Sequence, residues 1–479
     1  MPDNKPIPPA ITHLEKSLSK ALHKRRHNHT IRHLTTFPST SADFSSNDFL
    51  SLSTSPHLQQ KYLQSLSPSS HQQQPSTSSS STKHLGSGGS RLLDGNSPLA
   101  EQLEQLLANF HNAPAGLLCN SGYDANTGFF SCVPQAGDYI VYDEYIHASV
   151  HDGMRLSRAA RMNVTTTTTA VTTSTTGMTT GTTTTTTAGG DGDGGAGNLR
   201  FFAHNDMCAL QRVLEQIVEE MKVIEGGRTR NVFIAVEAVY SMDGDICPLE
   251  KVVELKKEIL GPMGNGVLIV DEAHSTGWIG PHGSGLVSAL GLERECEVRL
   301  HTFGKALACN GAIVLCSPLI REYLINYARP LIYTTFMSYP NLAAIRASYE
   351  FLMEGKAEPL ADNLQKLMGT LFERLQQMQA DLQLSIEESH LLRCPLEKPK
   401  TPIFAVLSSE PKELAAYCQR KGFVVRGIVP PTVPLGTERI RVCLHAGNTV
   451  EQIEGLVACI RAWTVERVCD LKKAGQTRL

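Results

Sequence analysis

Short apolar runs alternate with helical patterns through the first two thirds of the chain. The runs "DYIVYDE", "VFIAVEAVYS", "GVLIVDEAH" and "GAIVLCSP" are rich in β-branched residues and bounded by Gly, Asp or Pro, which is typical of buried strands. Around them, "PLAEQLEQLLANFH", "MCALQRVLEQIVEEMK" and "PLEKVVELKKEIL" repeat apolar residues at three- and four-residue steps, which predicts amphipathic helices. Such an alternation predicts the α/β class, with a mostly parallel sheet covered by helices on both faces.

Polar, repetitive stretches mark where the chain leaves this packed pattern. Two of them, about 67–82 and 164–198, are rich in Ser, Gln, Thr and Gly. They cannot bury enough apolar surface to offset the entropy of ordering, so we predict mobile surface insertions. Periodic sequence resumes after each insertion. We therefore predict an N-terminal segment (1–43), a large α/β domain (44–339) that contains both insertions, and a C-terminal α+β domain (340–479).

Composition limits the classes of partner and compartment. The formal net charge is −3, which provides no basic field for nucleic acid, and no apolar run could span a membrane. The 12 cysteines show no zinc-binding spacing, so we expect no metal site and reduced, mostly buried thiols inside a cell. The final tripeptide, Thr477-Arg478-Leu479, has the form of a peroxisomal address. A peroxisomal location is therefore expected, with the cytoplasm as the alternative.

The stretch "IVDEAHSTG" (269–277) has two opposed interpretations. Asp-Glu-Ala-His is a helicase signature, but a helicase also needs a G-x-x-x-x-G-K-[ST] phosphate loop, which this chain lacks. The other interpretation is a cofactor site, because open α/β sheets bind ligands at the carboxyl ends of their strands. Asp271, Ser241 and Asp143 all end or follow predicted strands. We therefore expect the functional site at that edge of the sheet.

Lys305 supports the cofactor interpretation. It lies among small and apolar residues in "HTFGKALACNGA", where desolvation lowers the pKa of a lysine and prepares it to form a Schiff base. Pyridoxal phosphate enzymes need such a lysine, together with a carboxylate that keeps the pyridine nitrogen protonated. Asp271 is the candidate for that carboxylate.

Several motifs give the chain a family resemblance. "VDEAHSTGWIGPHGSG" followed by "TFGKALACNGA" resembles the α-oxoamine synthases, a family of fold type I pyridoxal phosphate enzymes. "DFSSNDFLSLS", "GSGGSRLLDGN", "CNSGYDAN", "EAVYSMDGDICPL", "RPLIYTTFMSYP" and "PPTVPLGTERIRV" are similar to further motifs of the family, in family order. The resemblance covers most of the chain apart from the insertions. It implies pyridoxal 5'-phosphate as cofactor and the decarboxylative condensation of an amino acid with an acyl-CoA.

The resemblance also implies roles around the cofactor ring. Lys305 would bind the cofactor covalently and later remove the Cα proton of the substrate. Asp271 would pair with the pyridinium nitrogen, and His274 would bond the phenolic oxygen with Ser241 close by. His147 would stack on the face of the ring.

Further roles concern the phosphate and the amino-acid substrate. The backbone amides of Gly122 and Tyr123, at the start of a predicted helix, would bind the phosphate together with the hydroxyl of Thr302. Arg441 would bind the substrate carboxylate through its guanidinium, with help from Asn47. For "AHND" (203–206) we predict only a helix cap, by the Asn or the Asp of that motif.

The remaining expectations concern partners and substrates. Thr334 and Thr335 resemble residues that the family contributes across a dimer interface, which implies a homodimer with a shared active site. "DEAHSTG", "TFGKA" and "PPTVP" are most similar to members that join L-alanine to pimeloyl-CoA in biotin synthesis. The 2-amino-3-ketobutyrate ligases, 5-aminolevulinate synthases and serine palmitoyltransferases remain alternatives. A non-catalytic partner subunit is a further alternative, although such subunits lose the lysine that is present here as Lys305.

Overall fold

The computed structural model describes residues 12–28, 30–66, 85–160, 198–223 and 230–476. The insertion predicted at 67–82, nearly all of that predicted at 164–198, and the C-terminal tripeptide lie outside these residues. The chain forms two units, Met1–Ser41 and Ala42–Leu479. The division at 339/340 that the sequence suggests, and the peroxisomal location, stay predictions.

The first unit contains helix α1 (His13–His27), which begins with a capping box formed by Thr12 and Glu15. The side chain of Thr12 accepts the amide of Glu15, and the carboxylate of Glu15 accepts the amide of Thr12 at 2.7 Å. These bonds satisfy two amides of the first turn that have no partner within the helix. Among the described residues of the whole chain, no helix combines the length and hydrophobicity that a membrane span requires.

The second unit alternates helices with strands. Its helices are α2 (Pro56–Leu66), α3 (Pro98–Phe110), α4 (Gly122–Cys132), α5 (Ala148–Leu156), α6 (Met207–Lys222), α7 (Leu249–Leu255), α8 (Leu286–Ala289), α9 (Pro318–Tyr327), α10 (Arg329–Ile332), α11 (Tyr339–Met353), α12 (Glu358–Leu382), α13 (Pro411–Arg420) and α14 (Val450–Gln476). Its strands are β1 (Ala42–Asp43), β2 (Ala115–Cys119), β3 (Tyr139–Asp143), β4 (Leu199–Phe202), β5 (Val232–Glu237), β6 (Gly266–Asp271), β7 (Val298–Thr302), β8 (Ala312–Cys316), β9 (Ile403–Leu407), β10 (Phe423–Val424), β11 (Arg426–Ile428) and β12 (Arg439–Cys443).

The main sheet has seven strands in the order β2-β8-β7-β6-β5-β3-β4. Five adjacent strands, β7, β6, β5, β3 and β4, run parallel to one another. Strand β8 runs antiparallel to both of its neighbours, β2 and β7. The four strands expected from the sequence are β3, β5, β6 and β8. The predicted α/β class with a mostly parallel sheet is confirmed.

Both faces of the sheet are buried, as predicted. Ile269 of β6 packs into one core cluster with Phe129 of α4 and Val150 of α5. The neighbouring residues Leu268 and Val270 point the other way, into a second cluster that includes residues of α6 and α7. Because successive side chains of a strand point to opposite faces, a strand covered on both sides needs this unbroken apolar run.

The C-terminal part contains a smaller antiparallel sheet in the order β11-β12-β9, with α13 and α14 among its helices. Residues of β9, β12, α12 and α14 contribute to the largest core cluster, which also contains Phe44 and Phe49. Strand β12 carries Arg441 and lies beside the segment after β1, since the amide of Cys443 donates to the carbonyl of Phe44 at 2.8 Å. This contact brings the ends of the long second unit together.

The cysteines are free thiols and most are buried, as predicted; Cys208 and Cys469 are exposed.

Candidate active site

Four strands of the main sheet end in polar residues at one edge. Asp143, Glu237, Asp271 and Thr302 are the last residues of β3, β5, β6 and β7. A cavity of about 250 Å³ opens at this edge. Seven of the predicted site residues line it, namely Lys305, Asp271, His274, His147, Gly122, Tyr123 and Thr302. The structure therefore brings together residues that span more than 180 positions of the chain.

Lys305 follows β7 in a turn that is closed by backbone hydrogen bonds. The amide of Ala308 donates to the carbonyl of Lys305 at 2.9 Å, and the amide of Cys309 donates to that of Phe303 at 2.8 Å. Burial lowers the pKa of the Lys305 amine to about 8, although the charge of Asp271 opposes this shift. A neutral amine is the form that attacks an aldehyde, so this environment suits covalent cofactor binding.

Asp271 is held as a carboxylate acceptor at the end of β6. Its Oδ2 accepts Asn126 Nδ2 at 2.8 Å, and its Oδ1 accepts the amide of Ala273 at 2.9 Å. Only 7% of Asp271 is exposed. A buried carboxylate that already has two donors is oriented and ready to receive one more, such as a protonated ring nitrogen.

Two histidines face the same cavity. His147 caps α5, where its Nδ1 lies 2.7 Å from Ser149 Oγ and accepts the Ser149 amide. Burial lowers the pKa of His147, although the charge of Asp271 opposes it. Burial, followed by the charge of Lys305, holds the pKa of His274 well below its usual range. Both rings are therefore neutral, and the buried Nδ1 of His274 has no hydrogen-bond partner among the described residues.

The N-terminus of α4 closes the cavity opposite Thr302. Ser121 caps this helix by accepting the amide of Asp124 at 3.0 Å. The approach is so close that a Cβ at Gly122 would lie 2.5 Å from Thr302 Cγ2. The buried Thr302 Oγ1 lacks a partner among the described residues. Free helix amides beside an unpaired hydroxyl form a ready anion site, whereas the Tyr123 hydroxyl is already used, since it donates to Asp152.

Arg441, Asn47 and Ser241 form a second group beside the cavity. Arg441 Nη2 donates to Asn47 Oδ1 at 2.8 Å, and its Nε donates to the carbonyl of Ser241 at 2.6 Å. The charge of Arg441 also contributes to the lowered pKa values of Lys305 and His274, which shows that it lies near them. Arg441 is 8% exposed, and its guanidinium has further donors for a carboxylate.

Ser241 also lines a larger cavity of about 750 Å³. His147 lines both cavities, so they adjoin at this residue. The wall is largely apolar or aromatic and includes Tyr145, Ile146 and the loop from Pro430 to Leu435. The serine is thus placed on the adjoining cavity, and its proximity to a bound cofactor stays a prediction.

Thr334 and Thr335 lie outside the 250 Å³ cavity within the single chain. Thr334 lines a small apolar cavity beside α4, and the carbonyl of Thr335 accepts Asn120 Nδ2 at 2.7 Å. Their predicted action across a dimer interface stays a prediction.

Further residues line the cavity that the sequence did not single out. They are Ser121, Asn126, Ser149, Glu237, Ala273, Gly304, Asn310 and Gly311. Asn126 lies in the quoted motif "CNSGYDAN", so the motif carried a signal for it. Glu237 lies inside the predicted strand "VFIAVEAVYS", so the sequence carried no specific signal for it. Glu272, between Asp271 and His274, points away from the cavity and accepts the amides of Leu286 and Val287 at 2.7 and 2.9 Å.

These residues fit pyridoxal phosphate. The cavity offers a buried amine at Lys305, an oriented carboxylate at Asp271 and a helix N-terminus at Gly122. Two buried polar atoms, His274 Nδ1 and Thr302 Oγ1, have no hydrogen-bond partner among the described residues. A bound ligand with polar groups would supply the missing partners. The amine, the carboxylate and the anion cradle are the three elements that this cofactor requires.

Comparison with known proteins agrees with this geometry. Residues 43–175 and 195–460 match the family model of aminotransferase class I and II. The chain is 48% identical to 8-amino-7-oxononanoate synthase of Emericella nidulans, over 94% of this chain and 96% of that one. It is 34% identical to aminoacyl transferase sphA of Aspergillus fumigatus, over 96% and 89% of the two chains.

Solved structures show the same fold. A structure described as SPT with PLP internal aldimine superposes with a TM-score of 0.70, covers 94% of this chain and 98% of its own, and is 22% identical. The matched family model, the curated relatives and the cavity agree, and the chain belongs to the α-oxoamine synthases, the pyridoxal phosphate-dependent acyltransferases within aminotransferase class I and II.

Proposed function

We propose that this chain condenses L-alanine with pimeloyl-CoA to give 8-amino-7-oxononanoate, CoA and carbon dioxide, a step of biotin synthesis. The observation that carries the proposal is the 48% identity to 8-amino-7-oxononanoate synthase of Emericella nidulans across nearly the full length of both chains. The presence of Lys305, Asp271 and His274 in one cavity supports a catalytic subunit over an inactive partner.

In this reaction the residues of the site have separate roles. Arg441 and Asn47 bind the carboxylate of alanine at the side of the cavity. Bound pyridoxal phosphate supplies an electron sink for the carbanion at the amino-acid Cα. Lys305 would hold the cofactor, and its amine would take the Cα proton of the substrate. Asp271 would keep the ring nitrogen protonated and His274 would donate to the phenolic oxygen, and both would favour loss of that proton.

The larger cavity is the site that we assign to the acyl chain. It meets the cofactor cavity at His147, so a thioester carbonyl placed there lies next to the ring while its chain extends past Tyr145 and Ile146. The apolar wall excludes water from the methylene groups and so contributes binding free energy.

A second candidate is an α-oxoamine synthase that takes an uncharged acyl chain. Among the described residues that line the larger cavity there is no lysine or arginine, and Glu144 and Asp243 are both acidic. A terminal carboxylate such as that of pimeloyl-CoA lacks a cationic partner on this wall. The 34% identity to aminoacyl transferase sphA supports the same alternative.

A panel assay distinguishes the candidates. Release of CoA is measured with pimeloyl-, palmitoyl-, succinyl- and acetyl-CoA, each paired with alanine, glycine or serine. The proposal expects the highest kcat/KM for pimeloyl-CoA with alanine. Higher values for palmitoyl-CoA favour the second candidate, and activity with glycine and succinyl-CoA alone overturns both. The Lys305→Ala variant is the control, and we expect it to lack both CoA release and the visible absorbance of the lysine-bound cofactor.

We further propose a homodimer in which Thr334 and Thr335 of each protomer complete the site of its partner. Support comes from their position outside the cavity of their own chain.

A further inference from the structure

His204 bridges two carboxylates at the active edge of the sheet. Its Nδ1 lies 2.8 Å from Asp143 Oδ1, and its Nε2 lies 2.6 Å from Asp245 Oδ2. A carboxylate can only accept hydrogen bonds, so both ring nitrogens must carry hydrogens. The ring is therefore an imidazolium, and we name this group the His204 bridge (His204, Asp143 and Asp245).

The residues around His204 stabilise the positive charge of its ring. Asp143 is fully buried, and the side chain of His204 is 16% exposed. Burial opposes the charge, but the hydrogen bonds to Asp143 and Asp245 outweigh it and raise the pKa of His204 to about 10. Asp143 also accepts the amide of Asn205 at 2.9 Å. Breaking buried, hydrogen-bonded ion pairs costs free energy, so these three side chains stay together.

The bridge is directly attached to the wall of the larger cavity. The ring of Tyr145 stacks on His204 with centroids 4.4 Å apart and planes inclined by 24°. The amide of Tyr145 donates to Asp143 at 2.9 Å, and the amide of His204 donates to Glu144 at 3.0 Å. Tyr240 packs edge-on against the same imidazole at 4.5 Å. Glu144, Tyr145 and Tyr240 all line the cavity of about 750 Å³.

We propose that His204 is a positioning residue for the acyl-CoA substrate: its imidazolium, held between Asp143 and Asp245, fixes Tyr145 as part of one wall of the larger cavity. The inference rests on the proposed assignment of that cavity to the acyl chain. It goes beyond the sequence prediction for "AHND", which was only a helix cap. The cap itself is confirmed, since Asp206 accepts the amide of Ala209 at 2.9 Å.

Removing the cation has a defined consequence. In His204→Gln, two carboxylates remain at one edge with a single amide between them, and Tyr145 loses the charged ring on which it stacks. Tyr145 then loses this restraint, whereas Asp271 and Arg441 keep their hydrogen bonds. We therefore expect His204→Gln to weaken binding of the acyl-CoA and to leave binding of the amino acid nearly unchanged.

The test compares substrates in steady-state kinetics and in binding. For His204→Gln we expect the KM for acyl-CoA to rise about tenfold, the effect of losing about 1.4 kcal/mol of binding free energy. The KM for alanine and the cofactor absorbance should stay within about twofold of the wild type. Adding Asp245→Asn removes one of the uncompensated charges and should restore part of the loss, as in a double-mutant cycle. His282→Gln is the matched control, because it removes an exposed histidine–carboxylate pair with Glu358 at 3.0 Å.

Calorimetric binding separates this inference from the proposed function. Pimeloyl-CoA and palmitoyl-CoA are titrated into the holoenzyme without amino acid, so no turnover is needed. Weaker binding of whichever thioester the wild type prefers supports the positioning role, even where pimeloyl-CoA proves not to be a substrate. Equal losses for alanine and acyl-CoA, unchanged binding in His204→Gln, or no binding of either thioester to the wild type overturns it.

Discussion

Glu237 and Asp271 place two carboxyl groups in one buried cavity. They are paired in register at the ends of adjacent parallel strands, so their side chains leave the same face of the sheet. Asp271 accepts two hydrogen bonds, from Asn126 Nδ2 and from the amide of Ala273. Burial, and then the charge of Asp271, raise the pKa of Glu237 well above its usual range. When the environments of two neighbouring carboxyl groups differ in this way, one is ionised and the other is protonated. Glu237 is the protonated member of this pair.

We therefore expect Glu237→Gln to leave the pH titration of the cofactor–lysine absorbance unchanged, since the amide replaces a neutral acid of similar shape. Asp271→Asn is the comparison variant and should shift or abolish that absorbance, because it removes the charge that faces the ring. The measurement is absorbance of the holoenzyme as a function of pH. A clear displacement of the titration in Glu237→Gln shows that Glu237 is ionised.

Lys305 gives a second prediction at the same scale. Burial lowers the pKa of its amine to about 8. The amine is protonated and unreactive below that pH, so the rate at which apoprotein binds pyridoxal phosphate should rise up to about pH 8 and then level off. An ordinary exposed lysine gains reactivity until about pH 10. A rate that keeps rising to about pH 10, measured by stopped-flow absorbance, contradicts the lowered pKa of this amine.

Helices α4 and α5 carry the phosphate cradle and the ring-facing histidine, and they pack together through Gly153. A Cβ at this position would lie 2.8 Å from Phe130 Cβ and 3.1 Å from the carbonyl oxygen of Asn126. Gly153→Ala should therefore lower the free energy of unfolding by about 1–3 kcal/mol and weaken cofactor binding. In Gly261→Ala, the matched control, the added Cβ meets nothing within 4 Å and the backbone is already helical. Chemical unfolding and cofactor titration measure both effects, and equal results for the two variants contradict the packing argument.

The His204 bridge makes stability depend on pH at the scale of whole elements, because it joins the end of β3 to the turn after β5. Its folded pKa, about 10, is above the unfolded value of 6.5. The stabilisation is thus fully present below pH 6.5 and is lost as the pH rises through about 10. We expect the wild-type Tm to fall between pH 8 and pH 11 more steeply than that of His204→Gln. Parallel curves for the two proteins show that the ring carries no extra proton. The polar groups around His204 are those of Asp143, Asp245, Glu144, Tyr145, Tyr240 and Asn205.

At the scale of the whole molecule, the shared site predicts complementation between inactive protomers. Lys305→Ala lacks the amine, and a Thr334→Val, Thr335→Val double variant lacks the hydroxyls that we assign to the partner's site. Mixed and allowed to exchange, the two should form hybrid dimers with one intact site, and activity should return to at most about one quarter of the wild type. Activity is measured as CoA release. Continued inactivity, with hybrid dimers verified by native mass spectrometry, shows that both hydroxyls serve their own chain.

The sequence determined the architecture of this protein and pointed to the residues that we propose for its reactive centre. Strand and helix periodicities dictate a doubly covered sheet, because only that arrangement buries both faces of runs such as Leu268–Val270. Lys305 and Asp271 were also predictable from local sequence. Asp271 ends a predicted strand and Lys305 lies in a turn, and the apolar and small residues around each already indicate low solvent exposure. The family motifs then implied their chemistry.

The tertiary structure decided which side chains meet. Glu237 faces Asp271 because of strand register, and His204 meets Asp143 and Asp245 across separations of 61 and 41 positions. No local pattern encodes such a meeting, since each partner is an ordinary polar residue in its own segment. Protonation follows from proximity and burial, which exist only once the chain has folded. The sequence therefore identified the candidate reactive residues, and the folded chain determined their protonation.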